Sequence, residues 1–208
     1  MSTVLGGIKN IIFDFGGVLI NLDFERTYKA FCGLGIADLE KRFTEEELIP
    51  VFYRLETGDI SPDDFRSGLR KMTGINISSD QFDHAWNQLL LDIPAHRIEL
   101  LKSLKGKYRL FLLSNTNKIH FDHYSAELKR VHKLDFADLF EHTWFSFEMG
   151  MAKPDTEIYK RVLREKNLNP KETLFIDDTF ENIKGARRTG MRTLFLEGEI
   201  GEALGIKI

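Results

Sequence analysis

Short runs of β-branched and aromatic residues, each stopped by a glycine, serine or aspartate, constrain the fold of this chain more than any other feature of its sequence. Each run is apolar along most of its length, which is typical of strands buried on both faces of a parallel sheet. The small or polar residue behind each run marks the turn that ends the strand. The predicted strands cover residues 8–15, 108–113 and 173–176, with further candidates at residues 192–196 and 142–147.

Helical patterns separate the later strands. Residues 156–166 carry four apolar side chains at helical spacing, and residues 180–189 are followed by Gly190, a typical C-terminal stop. Another helical pattern, residues 95–104, precedes the second predicted strand. Because strands and helices alternate from residue 95 onward, we predict an α/β fold with a Rossmann-like, mostly parallel sheet that carries helices on both faces.

The segment between the first two strands has a different pattern, with several helices and no evident strand. Ser61 and Ser78 are good helix starts, because each is followed within three positions by an acid or a glutamine. We predict that residues 21–94 form a helical cap inserted into an α/β core made of residues 1–20 and 95–208. The helical patterns of this segment cover residues 24–32, 45–55, 62–73 and 79–91.

Charge and cysteine content narrow the classes of partner. The 208 residues carry a formal net charge of −3, so the chain has no overall positive field to hold nucleic acid or anionic lipid. The single cysteine, Cys32, cannot form a disulfide within the chain, which favours a reducing compartment. No signal peptide and no apolar stretch of membrane-spanning length is evident. We expect a cytoplasmic monomer or weak homodimer whose partner is a small molecule, with neither nucleic acid nor membrane.

Polar residues follow three of the predicted strands, and a lysine precedes a predicted helix. In an open parallel sheet, ligands bind at the carboxyl ends of the strands, so these residues are the ones to inspect. If the sheet is built as predicted, their side chains converge on one spot. The candidate site residues are Asp14, Ser114, Asn115, Lys153, Asp177 and Asp178.

This set of residues suits phosphate transfer. Several carboxylates around one spot repel each other, and a divalent cation such as Mg²⁺, which favours carboxylate oxygens, resolves that conflict. Asp14 is the candidate nucleophile, because a carboxylate can attack phosphorus and form an aspartyl-phosphate. Ser114 and the backbone of Asn115 are candidate donors to the phosphoryl oxygens. Lys153 is a candidate partner for both Asp14 and the phosphate, where it would add positive charge.

Four short motifs surround these residues and span nearly the whole chain. They read Phe13-Asp14-Phe15-Gly16-Gly17-Val18-Leu19, Leu113-Ser114-Asn115-Thr116, Lys153-Pro154, and Phe175-Ile176-Asp177-Asp178 with Asn182 following. In this order they resemble the motifs of the haloacid-dehalogenase-like hydrolase superfamily. Within the superfamily, the sequence is most similar to sugar-phosphate phosphatases of the α-glucose-1-phosphatase type and to the phosphatase domain of bifunctional epoxide hydrolases.

The resemblance implies a magnesium-dependent phosphatase that hydrolyses a small phosphorylated metabolite, and we expect a sugar phosphate. It implies that Asp14 is the nucleophile and that Lys153 and Ser114 assist catalysis. Ser114, Asn115 and Lys153 would bind the substrate phosphate. The metal ligands implied by the resemblance are Asp14, the backbone carbonyl of Gly16, Asp178 and Asp177.

One position departs from the family pattern. Most phosphatases of the superfamily carry a second aspartate two residues after the nucleophile, where it protonates the leaving group and later activates water. This chain has Gly16 there, although some glucose-1-phosphatase-like members also carry glycine. General acid–base assistance is worth about 10²–10⁴-fold in rate, so we expect either slower turnover or a substitute. Asp23, at the predicted junction of core and cap, is the candidate substitute.

Gly16 leaves two other functions open. The superfamily's carbon–halogen hydrolases also lack the second aspartate, so a metal-independent 2-haloacid dehalogenase is one alternative, against which Asp177 and Asp178 indicate a metal site. The other alternative is a non-catalytic protein that binds a phosphorylated ligand, against which the completeness of the remaining motifs argues.

Overall fold

The computed structural model describes residues 4–36 and 45–206, with the backbone alone for residues 45–49. A five-stranded sheet forms the centre of the molecule, in the order β3-β2-β1-β4-β5, and all neighbouring strands run parallel. The predicted α/β fold with a parallel sheet is therefore confirmed. The strands are β1 (Asn10–Phe13), β2 (Arg109–Ser114), β3 (His142–Phe145), β4 (Thr173–Asp177) and β5 (Arg192–Phe195).

Helices surround the sheet and fill the segment between the first two strands. None of the helices in the described part of the chain is long and apolar enough to cross a membrane. Short 3₁₀ turns (Asn87–Leu89, Pro170–Glu172) and one π-helical turn (Leu128–His132) complete the connections. The helices are α1 (Phe24–Gly33), α2 (Glu45–Glu56), α3 (Pro62–Thr73), α4 (Ser79–Trp86), α5 (Ala95–Leu104), α6 (Lys118–Glu127), α7 (Phe136–Leu139), α8 (Ser146–Met149), α9 (Thr156–Glu165), α10 (Phe180–Arg187) and α11 (Ile200–Ala203).

Alternate side chains of the central strand enter two separate apolar layers. Ile11 and Phe13 of β1 pack with residues of α5 and α6 on one face, whereas Ile12 packs with residues of α9 and α10 on the other. Side chains of a strand point alternately to the two faces of a sheet, so burial on both faces requires the continuous apolar run that the sequence shows. Both faces of the sheet are covered, and only its carboxyl edge is left for polar chemistry.

The helices of residues 24–86 share a third apolar cluster, built around Phe65 and Phe82, which are fully buried. Rings of Phe52, Phe65 and Trp86 lie 5.2–5.7 Å apart, at distances typical of favourable aromatic pairs. Both α3 and α4 begin with a capping box, as the two serines predict. The separate cluster supports the helical cap, and the division into residues 1–20, 21–94 and 95–208 stays a proposal.

Several elements differ from the sequence prediction: the short helices α7, α8 and α11 were not predicted, and the helix predicted over residues 79–91 ends at Trp86. The candidate strand at residues 142–147 ends at Phe145, because the buried Ser146 hydroxyl turns toward the loop after β2. There it accepts a hydrogen bond from the Thr116 amide and donates one to the Thr116 carbonyl, both 2.9 Å long. Helix α6 was not predicted. Its buried side chains, Ile119, His120 and Tyr124, do not form a simple apolar stripe.

Candidate active site

Asp14 lies directly after β1, at the carboxyl edge of the sheet. Its amide donates a 2.9 Å hydrogen bond to the carbonyl of Ile176 in β4, so the ladder between the two strands continues one residue beyond β1. The aspartate is 8% exposed, in contact with the apolar interior. Burial raises the pKa of Asp14, and the nearby ammonium of Lys153 opposes that rise.

Lys153 joins two strand ends. Its Nζ lies 2.7 Å from Asp14 Oδ1 and 2.7 Å from Asp177 Oδ2, and the side chain is almost fully buried. Burial alone would lower the pKa of Lys153, but its two carboxylate partners outweigh burial and raise it, so the ammonium stays charged. Asn115 fixes the lysine backbone, because its amide group donates to the Lys153 carbonyl and accepts from the Lys153 amide, at 2.8 and 2.9 Å.

Asp177 has most of its hydrogen-bonding capacity used inside the protein. Besides Lys153, it accepts 3.0 Å bonds from the side chain of Asn182 and a 2.8 Å bond from the amide of Thr179. The carboxylate is fully buried. Such a group orients its partners, and it has less free capacity for a ligand than Asp178. Asp178 is exposed, and its contacts are with its own amide and, at a long 3.5 Å, with the Thr179 hydroxyl.

Asp14, Asp177 and Asp178 place one oxygen each within 4.8 Å of one another. Three carboxylates therefore lie near one ammonium group, that of Lys153. Burial raises the pKa of Asp178, and the negative charge of the neighbouring Asp177 raises it further. An oxygen-rich site with excess negative charge fits a divalent cation such as Mg²⁺. The backbone shapes this site as well: a Cβ on Gly17 would come within 1.9 Å of Asp178 Oδ2, at a positive φ of 69°.

Gly16 presents backbone rather than a side chain to the site. Its carbonyl accepts none of the backbone hydrogen bonds made among the described residues, so this oxygen is available to a ligand. A Cβ at Gly16 would lie 3.0 Å from Leu22 Cδ1. Leu22 therefore occupies the space into which a side chain at position 16 would extend.

A cavity of about 350 Å³ opens beside these strand ends, between the core and the helices that cover it. Core residues Gly16, Ser114 and Asn115 line one side, and the hydroxyl of Ser114 makes only a long 3.4 Å contact with the carbonyl of Asn115. Most of the remaining wall is apolar or aromatic, and Glu56, at the end of α2, is a polar exception. Of the predicted site residues, Gly16, Ser114 and Asn115 line this cavity. Asp14, Lys153, Asp177 and Asp178 form the charged cluster at the strand ends and are not among the lining residues.

Asp23 does not join this group. Its carboxylate accepts hydrogen bonds from the amides of Glu25 and Arg26, at 3.0 and 3.3 Å, and thereby caps the start of α1. It is also not part of the carboxylate group formed by Asp14, Asp177 and Asp178. A carboxylate held by free amides of a helix N-terminus has a structural task that a sequence cannot distinguish from a catalytic one. The structure favours helix capping over acid–base chemistry for Asp23.

Three residues near the site escaped the sequence analysis, or were left there without a role. Ser146, the first residue of α8, ties this helix to the loop after β2, as described above. His120 stacks on Trp86 with ring centroids 5.2 Å apart, and its Nε2 lies 3.2 Å from the Trp86 carbonyl. Glu56 reaches the cavity from the cap. Each depends on contacts between segments distant in sequence, for which no local pattern gives a signal.

Comparison with known proteins agrees with this geometry. The model of the haloacid dehalogenase-like hydrolase family matches residues 8–190. The D-ribitol-5-phosphate phosphatase of Bacteroides thetaiotaomicron is 31% identical over 191 residues, which cover 89% of this chain and 90% of that protein. The sesquiterpene phosphatase astK of Aspergillus oryzae is 28% identical over 200 residues, which cover 96% of this chain and 95% of that protein.

Solved structures show the same similarity. A HAD family enzyme of Bacteroides thetaiotaomicron superimposes with a TM-score of 0.92 at 42% identity, over 97% of this chain and all of that chain. Another structure of that enzyme, a variant in complex with magnesium and inorganic phosphate, has a TM-score of 0.89 and covers 96% of this chain and all of that one. This chain belongs to the haloacid dehalogenase-like hydrolase family.

Proposed function

We propose that this protein hydrolyses the phosphate monoester of a small sugar or polyol, with Asp14 as the nucleophile. The chain is a phosphoric monoester hydrolase of the haloacid dehalogenase type, with magnesium as its cofactor. One observation supports the assignment of Asp14 above all others. The Nζ of Lys153 lies 2.7 Å from Oδ1 of Asp14, and the exposed Asp178 lies at the same carboxyl edge of the sheet, after β4.

The proposed reaction divides into two transfers of the phosphoryl group. An oxygen of Asp14 attacks phosphorus, the bond from phosphorus to the ester oxygen breaks, and the alcohol leaves with a proton. Water then attacks the aspartyl-phosphate, which releases inorganic phosphate and restores the Asp14 carboxylate. Lys153 places a positive charge beside the phosphoryl oxygens of the substrate. The Ser114 hydroxyl and the backbone amide of Asn115 donate hydrogen bonds to these oxygens.

Asp14, the carbonyl of Gly16 and Asp178 are the proposed ligands of the metal ion. Asp177 supports the same site from behind, because Lys153, Asn182 and the Thr179 amide already occupy its oxygens. When bound, Mg²⁺ supplies the positive charge that lets a phosphate dianion approach a cluster of carboxylates.

Relatives and cavity size support a small substrate. Two relatives are phosphatases named for D-ribitol 5-phosphate and for phosphorylated carbohydrates. A volume of about 350 Å³ suits a ligand of that size. A location in the cytoplasm and a monomeric or weakly dimeric state remain part of the proposal, supported by the single cysteine and the ordinary net charge.

The cavity wall favours a second candidate, a phosphate ester with an apolar alcohol. Phe24, Phe52 and Trp86 contribute aromatic surface to the cavity, and few side chains on the cap side could bind sugar hydroxyls. Sugars need such hydrogen bonds, since hydroxyl groups that lose water without gaining partners are costly to bury. The similarity to a sesquiterpene phosphatase points in the same direction.

The test is release of inorganic phosphate from a panel of esters: ribitol 5-phosphate, two glucose phosphates and a prenyl monophosphate. Each is measured with magnesium and with a chelator, and each is repeated with Asp14→Asn. We expect magnesium-dependent release that is lost in the variant. Preference for the prenyl ester would replace the sugar proposal with the second candidate. Activity retained in Asp14→Asn would contradict the assignment of the nucleophile.

A further inference from the structure

We propose that Glu56 is the catalytic acid and base of this site: it gives a proton to the leaving alcohol and then takes one from the attacking water. This inference rests on the proposed phosphatase function and on Asp14 as nucleophile. It assigns the task that most phosphatases of the family give to an aspartate at the position of Gly16. Here the carboxyl group comes instead from the cap, at the last residue of α2.

The composition of the cavity wall points to Glu56. Among the described residues that line the cavity, Glu56 carries the sole carboxyl group. Its carboxyl group makes no hydrogen bond and no ion pair with any other described residue, although the residue is half-buried. A carboxyl group that loses water without gaining a protein partner is unfavourable, and such groups concentrate where a ligand completes their contacts.

The turn that follows Glu56 fixes the position of this residue relative to the core. The turn that follows it begins with Thr57, which is buried and whose hydroxyl lies 2.8 Å from Asp59 Oδ2. Gly58 comes next, with a φ of 74°, and a Cβ there would lie 2.3 Å from the carbonyl oxygen of Phe147. The turn is therefore pressed against α8, which directly follows β3, and this contact fixes the end of α2 relative to the strand ends.

The surroundings of Glu56 favour the protonated form of its carboxyl group. Burial raises the pKa of Glu56, and Lys153, facing it from the core, opposes that rise. His120 and Tyr124 are the other titratable side chains that line the cavity. Burial lowers the pKa of His120 to about 4 and raises the pKa of Tyr124, so both are neutral near pH 7. An acid with a raised pKa exchanges protons at neutral pH better than an exposed glutamate.

The space beside position 16 is partly occupied by a neighbouring side chain. The side chain of Leu22 lies 3.0 Å from the point where a Cβ would stand on Gly16. An aspartate at position 16 would need Leu22 to move. Glu56, from the last residue of α2, lines the same cavity as Gly16.

The proton transfers balance in both halves of the reaction. In the first, the bond from phosphorus to the ester oxygen breaks, and the Glu56 proton goes to that oxygen, leaving a Glu56 carboxylate and a neutral alcohol. In the second, this carboxylate removes a proton from the water that attacks the aspartyl-phosphate. The bond from phosphorus to Asp14 then breaks, so inorganic phosphate leaves and Glu56 is protonated again.

The experiment compares kcat/KM of wild type and Glu56→Gln on two substrates that differ in their need for a proton. An alkyl phosphate leaves as a strongly basic alkoxide, whereas p-nitrophenyl phosphate leaves as a stable phenolate. Because kcat/KM reports the steps up to departure of the alcohol, we expect a loss of about 10²–10⁴-fold on the alkyl ester. The loss on the nitrophenyl ester should stay within about threefold, and the decline of kcat/KM above the Glu56 pKa should disappear in the variant.

Glu25→Gln is the matched control, since it makes the same change on an exposed residue of the cap, and we expect no change on either substrate. Circular dichroism of each variant monitors the fold. Equal losses on both esters, or no loss on either, would overturn the role of Glu56 while leaving the phosphatase function in place. A wild type inactive on every ester would instead refute the proposed function itself.

Discussion

The strand ends of the core and the cap above them are held by opposite kinds of contact. At the strand ends, Lys153 bridges Asp14 and Asp177 in a buried ionic network with defined partners. In the cap, aromatic rings around Phe65 pack without directional bonds. Ionic networks tolerate little change, because a buried charge that loses its partner is costly, whereas apolar packing accepts substitutions of similar volume. The nucleophile and the proposed metal ligands are thus held by charged contacts in the core, whereas the apolar packing of the cap tolerates substitutions of similar volume.

The largest expected effect comes from breaking the ionic network. Lys153→Met leaves Asp14 and Asp177 buried without their cation, and we expect a loss of about 3–5 kcal/mol in the free energy of unfolding. The measurement is urea denaturation in the presence of a chelator. Lys160→Met removes an exposed pair with Glu157 and should cost at most about 1 kcal/mol. Similar losses in the two variants would contradict the contrast between core and surface.

A smaller effect is expected where His120 links core and cap. Its folded pKa of about 4 lies below the ordinary value of 6.5, so the unfolded chain binds more protons between these values, and stability falls as pH falls. The expected loss between pH 7 and pH 5 is about 2 kcal/mol from this residue. Urea denaturation at both pH values should show it in wild type and in the exposed-site control His123→Gln, but not in His120→Gln. An equal pH dependence in all three proteins would refute the linkage.

The smallest predicted effect concerns the turn that holds Glu56. Gly58→Ala places a Cβ against the carbonyl of Phe147 and displaces the turn, so we expect kcat/KM on an alkyl phosphate to fall about tenfold. Gly74→Ala is the control, because Gly74 also has a positive φ but nothing lies within 4 Å of the added Cβ. Both variants carry the same backbone strain. Equal activity of the two would show that the docked turn does not position Glu56.

Local signals predicted most of the fold. The predicted helices at residues 62–73 and 95–104 coincide with α3 and α5, because a serine cap or a proline marks the start of each. The strands were found because burial on both faces demands uninterrupted apolar runs. Helix α6 was missed, since His120 and Tyr124 are buried through specific polar and aromatic contacts that an apolar period does not reveal.

The residues of the candidate site likewise divide into those that local sequence signals predict and those that depend on contacts between distant segments. Asp14 and Asp177 were found because each stands where a predicted strand ends, and such ends meet at one edge of a parallel sheet. Lys153 was found because it precedes a predicted helix within a family motif. Glu56 was not found, because the last residue of a surface-like helix gives no sign of burial. Its position depends on the contact of Gly58 with Phe147, 89 residues away along the chain. Asp23 shows the reverse case, a suggestive position whose carboxylate caps a helix.

The central claim is that phosphate passes through Asp14, and a trapping experiment tests it directly. The protein is mixed with magnesium and a phosphate ester that it hydrolyses, quenched in acid within milliseconds, digested and analysed by mass spectrometry. We predict one added phosphoryl group on the peptide that contains Asp14, absent with a chelator and absent in Asp14→Asn. Phosphate release without any phosphorylated peptide, or with the phosphoryl group on another residue, would contradict the account.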